Sequence, residues 1–175
     1  MTASGAEREL RSIFQGDEEG ILKCVKTVED DVKNTYLSLV DEPFLCLRGA
    51  GSLGIDVVAS RGYLTLFFEV KSSKSSTIYL SSERLQEQKD WMFQKSVECR
   101  MPLFYAYRKN SIRGERWEVF IVPSPYTDLN FDWVPKLQET RISHKMDWGH
   151  GIRLSNFIKK VMYYTTVNVK YVGGV

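Results

Sequence analysis

Three residues in one short stretch have the chemistry to break a phosphodiester bond. They are Asp56, Glu69 and Lys71, within RGAGSLGIDVVASRGYLTLFFEVK at residues 48–71. Two carboxylates offer hard oxygen ligands to a divalent cation such as Mg²⁺ and leave positions for water and a phosphate oxygen. A cation held there makes hydroxide available near neutral pH and stabilises the charge that builds on the phosphate. A neighbouring ammonium orients the attacking water or neutralises that charge. Glu69 and Lys71 are two apart, so a regular strand points both to the same face. An E-x-K triplet alone is equally the signature of a solvated ion pair on a sheet. Asp56 and the glycine-rich approach to it tip the reading towards a site.

The elements around these residues can bring them together. Ile55, Val57 and Val58 read as one strand and residues 63–70 as a longer one. Arg61-Gly62 reads as the tight reversal between them, with Gly62 supplying the free backbone angle. The antiparallel pair then sets Asp56 beside Glu69 and Lys71. Upstream, Pro43 ends a helix and residues 44–47 form a short strand that carries Arg48 out at its end. Gly49-Ala50-Gly51-Ser52 follows, a loop of small residues whose amides can cradle a phosphate while Arg48 grips it bidentately. At the N-terminus, Ser4-Gly5-Ala6-Glu7 has the S-x-x-E form of a capping box. Leu10, Ile13 and Phe14 give that helix an apolar face, and Gly16 suits its end. By spacing, Glu7 is a helix cap.

The D…E-x-K pattern resembles the PD-(D/E)xK nuclease superfamily. More narrowly, ERELRSIF, LRGAGS, IDVV, and FFEVKSSK followed by IYLS resemble the archaeal Holliday-junction resolvases. The resemblance covers residues 4–16 and 44–123. It implies an active site made of Glu7, Arg48, Ser52, Asp56, Glu69 and Lys71, with Glu7, Asp56 and Glu69 as metal ligands. Mg²⁺ is the implied cofactor, with Mn²⁺ as a substitute. The implied reaction is cleavage of four-way DNA junctions by paired nicks during recombination or repair, carried out by a homodimer. Glu7 therefore has two roles open, helix cap and metal ligand. Another PD-(D/E)xK restriction or repair nuclease is a second reading, and a non-catalytic DNA-binding relative is a third. The intact Asp56, Glu69 and Lys71 set argues against the third.

Residues 17–42 depart from the family pattern. Ile21, Leu22, Val25, Val28, Val32, Tyr36, Leu37 and Val40 recur at near-helical spacing, which predicts one inserted or lengthened helix whose apolar face is core. Past the triplet, Lys74 lies in a serine-rich link that either contacts the DNA backbone or is a solvated loop. Residues 77–80 read as a strand, and Ser82 as the cap of a helix carrying Leu85, Trp91, Met92, Phe93 and Val97. Residues 102–107 and 117–122 read as two strands. The link between them is basic, and its Arg113 and Arg116 are candidate phosphate contacts. Trp91, Phe93 and Phe104 are candidate dimer contacts. Pro125, Pro135 and the run 126–133 suggest irregular packing chain. His144, Lys145, Asp147 and His150 cluster beyond it but match no metal-ligand spacing. A helix over 154–164 and a β-prone end over 165–172 close the chain.

With 175 residues, 43% hydrophobic and 26% charged, the chain suits one globular domain. Within residues 1–175, the nuclease core is about 4–123, the insertion about 17–43 and the C-terminal extension about 124–175. The element order predicts an α/β fold with a mixed central sheet flanked by helices, and the resemblance implies that this fold is restriction-endonuclease-like. A net charge of +2 excludes a global basic field, so any DNA surface is a local patch. Cys24, Cys46 and Cys99 lack C-x-x-C spacing and suit a reducing interior. The N-terminus lacks a signal-like apolar region, and no apolar run is long enough to span a membrane. The expectation is a soluble cytoplasmic protein.

Overall fold

The computed structural model describes residues 3–49, 54–125 and 131–170. In chain order its elements are α1 (Ala3–Phe14), α2 (Glu18–Cys24), α3 (Asp30–Asp41), β1 (Leu45–Arg48), β2 (Val57–Arg61), β3 (Leu64–Ser73) and β4 (Thr77–Tyr79). There follow α4 (Glu83–Cys99), β5 (Phe104–Lys109), β6 (Trp117–Ile121), β7 (Gln138–Glu139), β8 (His144–Asp147), β9 (Ile152–Arg153) and α5 (Leu154–Lys170). Six strands form the central sheet in the order β1-β2-β3-β5-β6-β9. Its pairs are antiparallel except β3 with β5, which run parallel because α4 crosses over between them. The sheet is therefore mixed, as expected.

Side-chain alternation along the strands splits the interior into two layers. Phe68, Val70, Phe104, Ala106, Val119 and Ile121 face a large core with α1, α2, α3 and α5. Tyr105, Tyr107, Phe120 and Val122 face a smaller core with Met92 of α4, Leu80, Leu137 and Met146. Glu69 and Lys71 alternate with Phe68 and Val70, so they share the second face. The helices give β3 a fixed backing: Phe14 stacks on Phe68 at 5.4 Å between centroids, and Phe157 meets Phe68 edge-on at 5.9 Å. Among the described residues no helix is long and apolar enough to cross a membrane.

Four expectations are corrected. The 17–42 segment is two helices. Val25, Thr27 and Val28 break it where β-branched side chains disfavour helix, and Asp30 and Asp31 restart it in an acidic first turn. Ile21, Tyr36 and Leu39 are fully or almost fully buried, so the segment is core, as its apolar face indicated. Ser4 does not hold the N-cap position of an S-x-x-E box, since α1 begins at Ala3 and runs through it. The β-prone 165–172 segment continues α5 through Lys170, with 171–172 outside the described residues. Leu154, Phe157, Ile158, Val161 and Thr165 sit on one buried stripe, and that packing outweighs the local β propensity of threonine and valine. Fourth, residues 138–153 hold three short strands where none was expected. β7 and β8 join β4 in a three-stranded sheet, where Asp147 accepts from Thr77 Oγ1 at 2.6 Å and pairs with Lys145 at 2.5 Å. Helix α4 starts after Ser82 as expected, although the Ser82 side chain makes no capping bond.

Candidate active site

Strand pairing puts Val57 opposite Phe68, which brings Asp56 level with Glu69. The Asp56 amide donates to Phe68 O at 2.8 Å, extending the ladder by one residue, and Gly49 N donates to Asp56 O at 2.9 Å. Its carboxylate reaches sideways, where Oδ2 accepts the Val70 amide at 2.8 Å. Asp56 is thus fixed by backbone and side chain alike. A charge-assisted bond of this kind contributes about 1.5–3 kcal/mol. The 57–61 and 64–73 strands meet at Gly62, whose φ of 58° is the left-handed geometry expected at that turn.

Glu69 is only 4% exposed. Its Oε1 accepts from Lys71 Nζ at 2.7 Å and from Gln88 Nε2 at 2.9 Å. The ammonium also donates to Gln88 Oε1 at 2.6 Å. Burial pushes the Glu69 carboxyl up to about 7; Lys71 opposes this shift and the nearby Asp56 carboxylate adds to it. Tyr105 is the β5 partner of Glu69 in the ladder, and its hydroxyl is buried without a hydrogen-bond partner. Burial, then Glu69, hold that phenol protonated far above its ordinary range.

On the other side of Asp56 opens a cleft of about 110 Å³, lined by Glu7, Arg8, Arg11, Arg48, Asp56 and Val57. Arg48 approaches Glu7 at 3.7 Å while remaining largely exposed. The structure therefore brings Glu7, Arg48 and Asp56 to one cleft and sets Glu69 and Lys71 beside Asp56. Among the described residues no three His, Cys, Asp or Glu side chains converge as a metal cluster. Asp56 lies beside Glu69, and Glu7 of α1 lines the same cleft as Asp56. Two facing carboxylates fit a divalent cation by donor chemistry: they supply hard oxygens, and their mutual repulsion is what a cation would relieve.

Of the remaining expected contacts, Lys74, Arg113 and Arg116 do not line this cleft. Ser52 is outside the described residues. Lys74 is exposed between β3 and β4, and Arg113 is exposed in the β5–β6 hairpin. Arg116 is half-buried, with its Nε in the interior without a partner. Arg108, in the same basic link, is buried against Glu9, both contacts being 2.9 Å. Gln88, Arg8 and Arg11 escaped the sequence reading. Arg11 lies one helical turn from Glu7, a spacing that signals a shared face; Gln88 looks like any polar helix residue.

The chain matches the archaeal Holliday junction resolvase (Hjc) family over residues 26–163. Among solved structures it is similar to the Holliday junction resolvase Hjc of the archaeal hyperthermophile Archaeoglobus fulgidus. The two are 19% identical, the match covers 72% of this chain and 95% of that one, and the TM-score is 0.48. No curated protein matches the chain.

Proposed function

The chain belongs to the archaeal Holliday junction resolvase family, and from that premise we propose that it cuts four-way DNA junctions by hydrolysis at Asp56, Glu69 and Lys71. One observation carries the reading: an almost fully buried glutamate faces a second carboxylate and holds an ammonium at 2.7 Å. Nucleases of this family are metal-dependent. Asp56 and Glu69 would hold Mg²⁺, for which Mn²⁺ would substitute, and Glu7 would complete the acidic wall of the cleft. The bound cation would supply Lewis acidity and a water of lowered pKa. Lys71 Nζ donates to the attacking water or to the phosphate oxygen on which charge develops. Arg48, with Arg8 and Arg11 beside it, grips phosphate oxygens through planar paired donors. Ser52, Lys74, Arg113 and Arg116 are assigned to the DNA backbone, with Lys74 and Arg113 the exposed members of that set.

Residues 1–175 act as one nuclease domain in this proposal, because the insertion and α5 pack into the same core as α1 and β3. The substrate places the reaction inside the cell, in the cytoplasm. One chain carries one such site and a junction needs two cuts, so the active form is a twofold homodimer. Phe104 is fully buried against Phe68, Phe131 and Phe157, which removes it from the candidate interface. Leu45 and Leu47 on the edge strand are 69% and 58% exposed, and Phe93 on α4 is 44% exposed. Leu47 pairs with Val58 and Val58 with Phe67, so an apolar strip runs across the face that α4 covers. A second copy is its proposed occupant.

The test is to separate cutting from binding. Asp56→Asn and Glu69→Gln are expected to slow cleavage of bound junction at least a hundredfold, about 2.7 kcal/mol, while junction affinity holds, because arginine and lysine supply the phosphate grip. Full-rate cleavage by either variant would remove this site from the reaction.

A further inference from the structure

We propose that Gln88 is a positioning residue of the cleavage reaction, holding Glu69 and Lys71 in one arrangement, and that α4 braces the active site through it and Trp91. The inference rests on the assignment of Glu69 and Lys71 to the reaction. Three hydrogen bonds close a ring: Lys71 Nζ to Glu69 Oε1 at 2.7 Å, Lys71 Nζ to Gln88 Oε1 at 2.6 Å, and Gln88 Nε2 to Glu69 Oε1 at 2.9 Å. Gln88 is only 7% exposed, so its amide does not trade these partners for water. A primary amide accepts with one atom and donates with the other in one plane, which is what a lysine and a glutamate together require. A carboxylate there would lose the donor, an ammonium the acceptor, and an apolar side chain both. Being neutral, the amide adds no charge beside carboxylates that would hold a cation.

Three residues along α4, Trp91 lies against Gly54. A Cβ at Gly54 would stand 2.2 Å from the indole ring. Residues three apart share a helix face. One face of α4 thus touches Glu69 and Lys71 through Gln88, and the segment leading to Asp56 through Trp91. The brace matters because a free lysine carries roughly 2 kcal/mol of rotamer entropy on a flexible stem. An ammonium already held needs no ordering when the phosphate arrives.

The experiment compares wild type with Gln88→Met, which keeps length and removes both bonds, and Gln88→Glu, which keeps the acceptor for Lys71. Metal-free protein is first treated with a water-soluble acetylating ester, and Lys71 labelling is read against exposed Lys74 by peptide mass spectrometry. Thermal denaturation is recorded in parallel. The expected result is that Lys71 becomes several-fold more reactive in Gln88→Met and stays shielded in Gln88→Glu, with both variants still unfolding cooperatively at a moderately lowered Tm. Single-turnover cleavage of bound junction is expected to fall at least tenfold in Gln88→Met, about 1.4 kcal/mol, with junction Kd unchanged. Unchanged Lys71 labelling in Gln88→Met would overturn the inference. So would a loss of cleavage matched by an equal loss of affinity or a collapse of Tm, which is what a purely structural glutamine gives. If Gln88→Met does not fold, rising Lys71 labelling in folded Gln88→Glu would equally overturn it, and continued shielding would uphold it. A wild type that cuts no junction defeats the resolvase reading alone, since the labelling comparison still decides the brace.

Discussion

Glu69 is a carboxyl taken almost out of water, tolerable there because Lys71 and Gln88 satisfy its oxygen, while burial first and then the nearby Asp56 push its pKa up. Arg48 differs: it is largely exposed, 3.7 Å from Glu7, and under the proposed function it would turn onto a phosphate. Arg48→Ala is therefore expected to lower single-turnover cleavage more than affinity. A tenfold loss of affinity, about 1.4 kcal/mol, with an unchanged rate on bound DNA would make Arg48 a docking residue only. The cysteines give a second check at this scale. Burial pushes the thiols of Cys24 and Cys46 up to about 12, and Glu9 adds to the shift at Cys24. Cys99 is exposed. Since the thiolate reacts, native protein at pH 8 is expected to show one fast thiol towards an aromatic disulfide, lost in Cys99→Ser; two or more fast thiols would contradict the buried placements. The juxtaposition of Asp56, Glu69 and Lys71 was legible in the sequence, because a hairpin and a spacing of two along one strand set it. Gln88 was not, because nothing in a polar helix residue reveals what faces it across a sheet.

The same contrast holds for elements. β2, β3, β5 and β6 were readable because apolar runs bounded by turn residues have few other solutions. The second sheet was not readable: β7 is two residues long, too short for any period, and β8 pairs with β4 from far away in the chain. The helix break at residues 25–29 depended on two acidic residues that read equally well as an exposed face. Trp91 against Gly54 is the contact that ties α4 to the approach to Asp56. Gly54 also has φ of 88°, a conformation that side chains resist. Gly54→Ala is thus expected to destabilise by about 2 kcal/mol through overpacking and backbone strain, a Tm fall of roughly 4–8 °C for a chain of this size. Cleavage should fall with it, because the displaced segment carries Asp56. An unchanged Tm would mean that Trp91 does not press on this loop.

At the scale of the whole molecule, the proposed function asks a near-neutral chain to handle a polyanion with a local patch. Arg8, Arg11 and Arg48 line one cleft with Glu7 and Asp56, while Arg108 is used up inside by Glu9. In the proposed dimer the apolar strip on the sheet edge would meet the second copy. Leu45→Glu with Leu47→Glu should weaken dimerisation at least tenfold, about 1.4 kcal/mol, in sedimentation at micromolar protein. A wild type that stays monomeric there yet makes both cuts in one binding event would refute the dimer. The most direct measurement of the central claim is single-turnover cleavage of a four-way junction beside a linear duplex built from the same arm sequences, with Mg²⁺ and with chelator. The expected result is paired nicks in the junction, at least a hundredfold slower cutting of the duplex, about 2.7 kcal/mol, and none with chelator or in Glu69→Gln. Equal cutting of duplex and junction, or cutting that survives both chelator and Glu69→Gln, would contradict it.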